Sequence, residues 1–136
     1  MTQVSSAFVA DPELILELEK QSKPFVLGAD GVLFHQGDAP TAVYILRRGS
    51  ARLTSQSDGD AMLSIRAGAG SLLGVPAVVG AKPYSLTAEA LDGAEVSLLS
   101  SADFVHLMST QPTLSFRVLQ VLAEEVRFAR EALSHH

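Results

Sequence analysis

Apolar residues change their spacing twice along the chain, and the two changes divide it into three regions. Over Asp11–Ser22 they recur at helical spacing, with Leu14, Ile15 and Leu18 on one face and Glu13, Glu17, Glu19 and Lys20 largely on the other. Asp11 is suited to cap this helix, Pro12 to its first turn and Glu13 to the positive end of its dipole. Ser22-Lys23-Pro24 stops it, which predicts a helix over about 11–22. Residues 1–10 are expected to fray.

From Phe25 to Ser100 the pattern becomes that of short strands between turns. Val32-Leu33-Phe34 precedes the turn His35–Pro40. Ala42–Arg48 is a strong strand closed by Gly49. Ala51–Ser55 and Met62–Arg66 alternate about a hairpin turn at Ser57-Asp58-Gly59-Asp60. Tyr84–Leu91 reads as a strand after the Gly80–Pro83 break, and Asp92-Gly93 leads into another at Ala94–Leu99. This spacing predicts a mainly β architecture, a sandwich, jelly roll or barrel, over about 25–100.

Helical spacing then returns. Ser100–Asp103 caps a short helix over about 101–109 with Phe104, Leu107 and Met108 as its apolar set, and Gln111-Pro112 breaks it. A long helix follows over about 113–133. It carries two apolar stripes, Leu119, Leu122, Val126, Ala129, Leu133 and Leu114, Val118, Val121, Phe128, Ala132. Together they span roughly 160°, wider than the ~100° needed for a single core contact. Glu125 interrupts the second stripe. A helix deep in a groove of its own barrel would account for this width. We favour a helix shared between its own barrel and a second copy, with Val118, Leu119, Val121, Leu122 and Val126 as dimer contacts. Glu124–Arg127 and Arg127–Glu131 are spaced for surface ion pairs.

Composition narrows the function. The 136 residues suit one domain with a substantial core, at 47% hydrophobic and 18% charged. No apolar run is long enough to cross a bilayer and no signal-peptide pattern is present, so a cytoplasmic, membrane-free protein is expected. Zero cysteines exclude disulfides, thiolate metal sites and cysteine nucleophiles. A net charge of −5 opposes a broad nucleic-acid face, and Arg47, Arg48, Arg52 and Arg66 form only a loose, solvated cluster. His35, His106, His135 and His136 lack metal-ligand spacing, which disfavours cupin-type metal and haem sites. Asp58 and Asp60 belong to a turn, and no catalytic triad, paired-acid cluster or Gly-x4-Gly-Lys-Ser/Thr loop occurs. No cofactor, metal or catalytic residue is predicted.

The stretch Gly68–Leu91 carries the remaining chemistry. Three spaced glycines (Gly68, Gly70, Gly74), a short apolar turn and then a strand can aim several backbone N–H groups at one anion.

The order of elements, together with Phe34–Ala39 before Val43–Gly49, resembles the cyclic nucleotide-binding domain of catabolite-activator-type regulators and kinase regulatory subunits. Gly37-Asp38 and Tyr44–Gly49 correspond to the family's glycine–acid pair and strand end. The resemblance covers about residues 10–133. It implies a jelly-roll barrel (double-stranded β-helix) of about eight strands, a short N-terminal helix, and a short then a long C-terminal helix. It also implies that the glycine-rich stretch is a phosphate-binding cassette. The family pattern is Gly-Glu-Leu, a helical turn, then Pro-Arg-Ala/Ser-Ala-Thr. Laid over this chain, its glycine falls on Gly74, its glutamate on Val75 and its leucine on Pro76. Its proline falls on Pro83, its arginine on Tyr84, its small residue on Ser85 and its threonine on Thr87. Both charged ligands are therefore replaced. Each such hydrogen bond is worth roughly 1.5–3 kcal/mol, so their loss should weaken cyclic AMP or GMP binding by about two to four decades.

The resulting candidate site is Gly74, Val75, Pro76, Ala77, Lys82, Tyr84, Ser85, Leu86 and Thr87, with Lys82 a flexible substitute cation. The expected function is a non-enzymatic regulatory domain of Crp/Fnr-like type, in signal transduction or transcription regulation. It would sense a small-molecule effector that is not an ordinary cyclic nucleotide. The alternative is a ligand-free interaction or dimerisation module, its pocket filled by Val75, Val78, Val79, Tyr84 and Leu86. Relatives carry a helix-turn-helix after the long helix. None follows here before His136, so no DNA contact is expected from this chain.

Overall fold

The computed structural model describes residues 3–5, 9–55, 63–91 and 93–134, of which 3–5 and 128–134 by backbone alone. In chain order the elements are β1 (Gln3–Ser5), α1 (Pro12–Glu19), β2 (Lys23–Phe25), β3 (Val32–Phe34), β4 (Ala42–Arg48) and β5 (Ser50–Ser55). They continue as β6 (Leu63–Gly68), β7 (Leu72–Leu73), α2 (Val75–Gly80), β8 (Thr87–Ala90), β9 (Glu95–Ser100), α3 (Ser101–Thr110) and α4 (Pro112–Ser134).

The strands form two sheets, β1-β6-β5-β8-β3 and β2-β9-β4-β7. All pairings are antiparallel except β1 with β6. This is the expected jelly-roll barrel flanked by helices. The N-terminal segment differs from expectation, because Gln3–Ser5 finds a free edge beside β6 and pairs there instead of fraying. The hairpin turn proposed at 57–60 lies outside the described residues.

The hydrophobic interior is double. One cluster lies between the sheets and joins Leu33, Phe34, Tyr44, Leu53, Ile65, Leu73, Tyr84 and Val96. The other lies between the β2-β9-β4-β7 sheet and the helices, and joins Leu14, Leu18, Val43, Ile45, Val75, Phe104 and Leu114 among others. Strand β4 separates them. Its alternating side chains serve both, Ala42, Tyr44 and Leu46 inside the barrel and Val43 and Ile45 under the helices. A strand covered on both faces has no polar side, which is why Ala42–Leu46 is an unbroken apolar run.

The helices begin where the sequence places their caps. Asp11 Oδ1 accepts from Leu14 N at 2.9 Å, and Ser100 Oγ accepts from Asp103 N at 3.1 Å. Arg117 on α4 reaches back to Glu13 at 2.9 Å and Asp11 at 3.4 Å, tying the long helix to α1. Three of the four arginines predicted as a solvated face also pair with acids there: Arg47 with Glu19, Arg48 with Glu95 and Arg52 with Glu89. On α4, Glu124 and Arg127 pair at 2.6 Å as their spacing requires.

Candidate functional site

The cassette frame is built around Gly74, which has a φ of +90° and precedes α2. A Cβ there would lie 2.9 Å from Tyr84 Cε1 and 3.2 Å from the Ala42 carbonyl, so glycine is required by both backbone and space. Helix α2 is a turn and a half. Pro76 contributes no N–H, and the Val78 N–H is already donated to the Gly74 carbonyl at 3.2 Å. The backbone cradle anticipated from the glycines is thus short of free donors.

The following segment is not a strand from Tyr84, as its apolar residues suggested. It first clamps onto the His35–Asp38 turn, and β8 begins only at Thr87. Tyr84 N donates to the Asp38 carbonyl at 3.0 Å, Gly37 N to the Tyr84 carbonyl at 2.8 Å, and Gln36 N to Thr87 Oγ1 at 2.9 Å. Asp38 Oδ2 in turn accepts from His35 N at 3.0 Å. The Gly37-Asp38 pair therefore acts by fixing the backbone of residues 84–87, and the Thr87 hydroxyl is engaged with that turn.

So fixed, Tyr84 turns into the barrel. Only 3% of its surface is exposed. Its ring stacks on Phe34 with centroids 3.8 Å apart and planes at 16°. Its hydroxyl donates to the Ala42 carbonyl at 2.6 Å and accepts from Ala42 N at 3.1 Å. Phe34 continues to Tyr44 at 5.6 Å and Tyr44 to Phe25 at 5.4 Å, giving a file of four aromatic rings inside the barrel. The Tyr44 hydroxyl donates to the Leu33 carbonyl, and its pKa is pushed up to about 12, by burial first and then by Tyr84 and Asp38.

Beside the stack remains a cavity of about 50 Å³, whose lining includes Phe34, Leu53, Leu73 and Glu125. Six of the nine candidate cassette residues line it: Gly74, Pro76, Ala77, Tyr84, Ser85 and Leu86. Three do not. Val75 is fully buried on the opposite side, against the helical cluster, because the left-handed turn at Gly74 directs it there. Lys82 is exposed, and Thr87 is held by Gln36. Of the five residues expected to fill the pocket, Tyr84 and Leu86 line the cavity, with Tyr84 stacked on Phe34, whereas Val75 and Val78 pack under the helices and Val79 is exposed.

Glu125 is the site residue that the cassette pattern missed. Its signal in the sequence is the break it makes in an otherwise apolar helical stripe. It projects from α4 to the cavity, and its Oε2 is shut off from solvent with no hydrogen-bond partner among the described residues. Burial pushes its pKa up to about 8, so near neutral pH the folded chain holds it mostly protonated.

Helix α4 divides its stripes between two surroundings. Leu114, Val118 and Val121 are buried in the chain's own core, while Leu119 and Val126 are 59% and 53% exposed and Leu122 is half-buried. Val118 and Val121 are therefore core residues rather than dimer contacts. The side chains of Phe128, Ala129, Ala132 and Leu133, and of Glu131 in its proposed pair, lie outside those described. Among the described residues no group of His, Cys, Asp and Glu could hold a metal ion. His35 lies 3.6 Å from Asp38 at the surface, and His106 is exposed on α3.

Two outcomes follow from this geometry. Tyr84→Phe keeps the ring stack but leaves the Ala42 groups without the hydroxyl, and should lower stability by about 1–3 kcal/mol in denaturant unfolding. Glu125 makes stability pH-dependent. Below about pH 4.5 both folded and unfolded chains hold its proton; between there and about 8 the folded chain holds it more strongly, so stability is lost as pH rises. The melting temperature of the native chain relative to Glu125→Gln should fall by several degrees between about pH 5 and 9. Curves that stay parallel would exclude a buried neutral acid.

The barrel and helices match solved structures closely. The catabolite activator protein of Thermus thermophilus superposes with a TM-score of 0.77 at 23% identity, over 96% of this chain and 62% of that one. A cyclic nucleotide-binding domain from Methylobacillus flagellatus gives a TM-score of 0.73 at 19% identity, over 92% and 71%. Among curated proteins, lysophospholipase NTE1 of Chaetomium globosum is 26% identical over 117 residues, which are 85% of this chain and only 8% of that protein. Among the described residues no helix is long and apolar enough to cross a membrane. The profile of the cyclic nucleotide-binding domain matches residues 25–111, from β2 through α3, and the chain belongs to that family of regulatory domains.

Proposed function

We propose that the chain is a regulatory effector domain whose nucleotide pocket is occupied by its own side chains, so that cyclic AMP and cyclic GMP bind weakly or not at all. The observation that carries this reading is Tyr84. It stands where the family's phosphate-pairing arginine falls, yet its ring is stacked on Phe34 and its hydroxyl is tied to Ala42. Neither partner is available to a phosphate without dismantling the barrel interior. The space left, about 50 Å³, holds a few heavy atoms, whereas pockets for drug-sized ligands run to ~300 Å³ and more. The position aligned with the ribose-binding glutamate, Val75, faces away. A compact effector, rather than a nucleotide, suits what remains. No step of covalent chemistry is assigned to the site, and we place the domain in the cytoplasm.

A second reading, an interaction or dimerisation module, is favoured by one specific feature. An apolar groove of about 280 Å³ runs between α2, α3 and α4, lined by Val79, Phe104, Val105, Met108, Leu119 and Leu122. It adjoins the exposed stripe of α4, and a homodimer through this face would cover Leu119, Leu122 and Val126 together. The two readings are compatible. A dimer through α4 would couple a change in the cavity at Glu125 to the partner.

Calorimetric titration should give dissociation constants for cyclic AMP and cyclic GMP weaker than about 0.1 mM; micromolar binding of either would refute the self-occupied pocket. Leu119→Glu, at an exposed position, should leave the melting temperature nearly unchanged and convert a dimer to a monomer in light scattering. A dimer that persists in this variant would place the interface elsewhere.

A further inference from the structure

We propose that the cavity beneath α4 is a binding site for a small organic cation, an amidinium or primary ammonium on a compact apolar body, and that Glu125 is the residue that recognises it. This rests on the reading that the pocket is closed to cyclic nucleotides. The first argument is satisfaction. Buried polar atoms in folded proteins are almost always hydrogen-bonded, yet Glu125 Oε2 is enclosed without a partner among the described residues. Its neighbours on the same face, Val118, Val121 and Leu122, are apolar and pack well. A leucine or methionine at 125 would continue that stripe without the penalty of burying an acid. A carboxyl group kept at such a position, and facing a void, is suited to a partner from outside the chain.

The second argument is complementarity. Around the void, β3, β5, β7 and α2 contribute Phe34, Leu53, Leu73, Pro76 and Ala77, and the segment before β8 contributes Tyr84, Ser85 and Leu86. None of these is charged. Tyr84 is the only other titratable residue of the lining, and its hydroxyl is committed to Ala42. On α4 itself the adjacent charges, Glu124 and Arg127, are exposed and paired with each other. Once ionised, Glu125 therefore sets the sign of the field in the cavity. In that form it repels phosphates and carboxylates, and it attracts a nitrogen cation able to donate one or two charge-assisted hydrogen bonds. The apolar walls enclose only about 50 Å³ and so accept only a body of a few heavy atoms.

A cation must draw Glu125 into its ionised form, so binding releases a proton wherever the free site is protonated. Affinity should then tighten as pH rises toward about 8 and level off above it. Ligands that bind elsewhere on the acidic surface would lack this dependence in that range.

The test uses the whole chain and three ligands of one shape: acetamidinium, acetamide and acetate. Methyl resonances of Leu53, Leu73 and Leu86 are followed during titration by NMR. Acetamidinium should produce saturable shifts in about the millimolar range expected of so small a ligand, and acetate none. Affinity for acetamidinium should rise severalfold between about pH 6 and 8, and Glu125→Gln should weaken it by roughly tenfold or more. Equal binding of acetamide or acetate, a flat pH profile, or no shift with acetamidinium would overturn the proposal. The pH profile needs no variant, so a failure of Glu125→Gln to fold leaves the test intact. Cyclic AMP titrated alongside separates the two levels. Micromolar binding of the nucleotide overturns the closed pocket beneath this proposal, whereas weak nucleotide binding without an acetamidinium response overturns only the cation site.

Discussion

The contact on which the pocket depends is the stack of Tyr84 on Phe34, with the Tyr84 hydroxyl bound at once to the N–H and the carbonyl of Ala42. It joins the segment entering β8, strand β3 and the start of β4. Two further features exist to permit it. Gly74 must be glycine because the Tyr84 ring passes within 2.9 Å of where a Cβ would stand. The His35–Asp38 turn must hold the backbone at residue 84, which it does through Gly37 N and the Asp38 carbonyl. A frame suited to cradling a phosphate is thus retained, while its centre is taken by an aromatic pair. The pair is stabilised by burial, ring contact and two hydrogen bonds, each worth about 1 kcal/mol net, which oppose entry of a competing ligand.

Strand β4 joins the two interiors. Its inner residues pack within the barrel and its outer residues lie under the helices, so the barrel core and the helix platform share one strand. Close-packed interiors transmit displacements rather than absorb them. Among the helical residues, Glu125 on α4 is one that lines the cavity directly.

Glu125 stands apart from the rest of the site in that its buried Oε2 has no hydrogen-bond partner among the described residues. Everything else that is polar in the aromatic file has a partner: Tyr84 with Ala42 and Tyr44 with the Leu33 carbonyl. The acid sits where α4 passes from its core-packed first half, Leu114 to Val121, to the stretch of exposed Val126.

Much of this was legible in the sequence. The helix caps at Asp11 and Ser100, the strand run of Ala42–Leu46, the break at Gln111-Pro112 and the long helix that follows it are local patterns with local causes, and each appears in place. The frame of the cassette was also readable, since its glycine at Gly74 and its proline at Pro83 keep their spacing along the chain. What only the tertiary structure decided is direction. Linear alignment set Val75 and Tyr84 side by side as replaced ligands, yet the left-handed turn at Gly74 sends Val75 into the helical core. The clamp from the His35–Asp38 turn sends Tyr84 into the barrel. Likewise the two stripes of α4 were visible, but the docking angle determined that Val118 and Val121 turn inward and Leu119 and Val126 outward. Residue type and spacing are properties of a segment. Which cavity a side chain faces is set by contacts between segments far apart in the chain, and for this protein those contacts turn Tyr84 into the barrel and Val75 away from it.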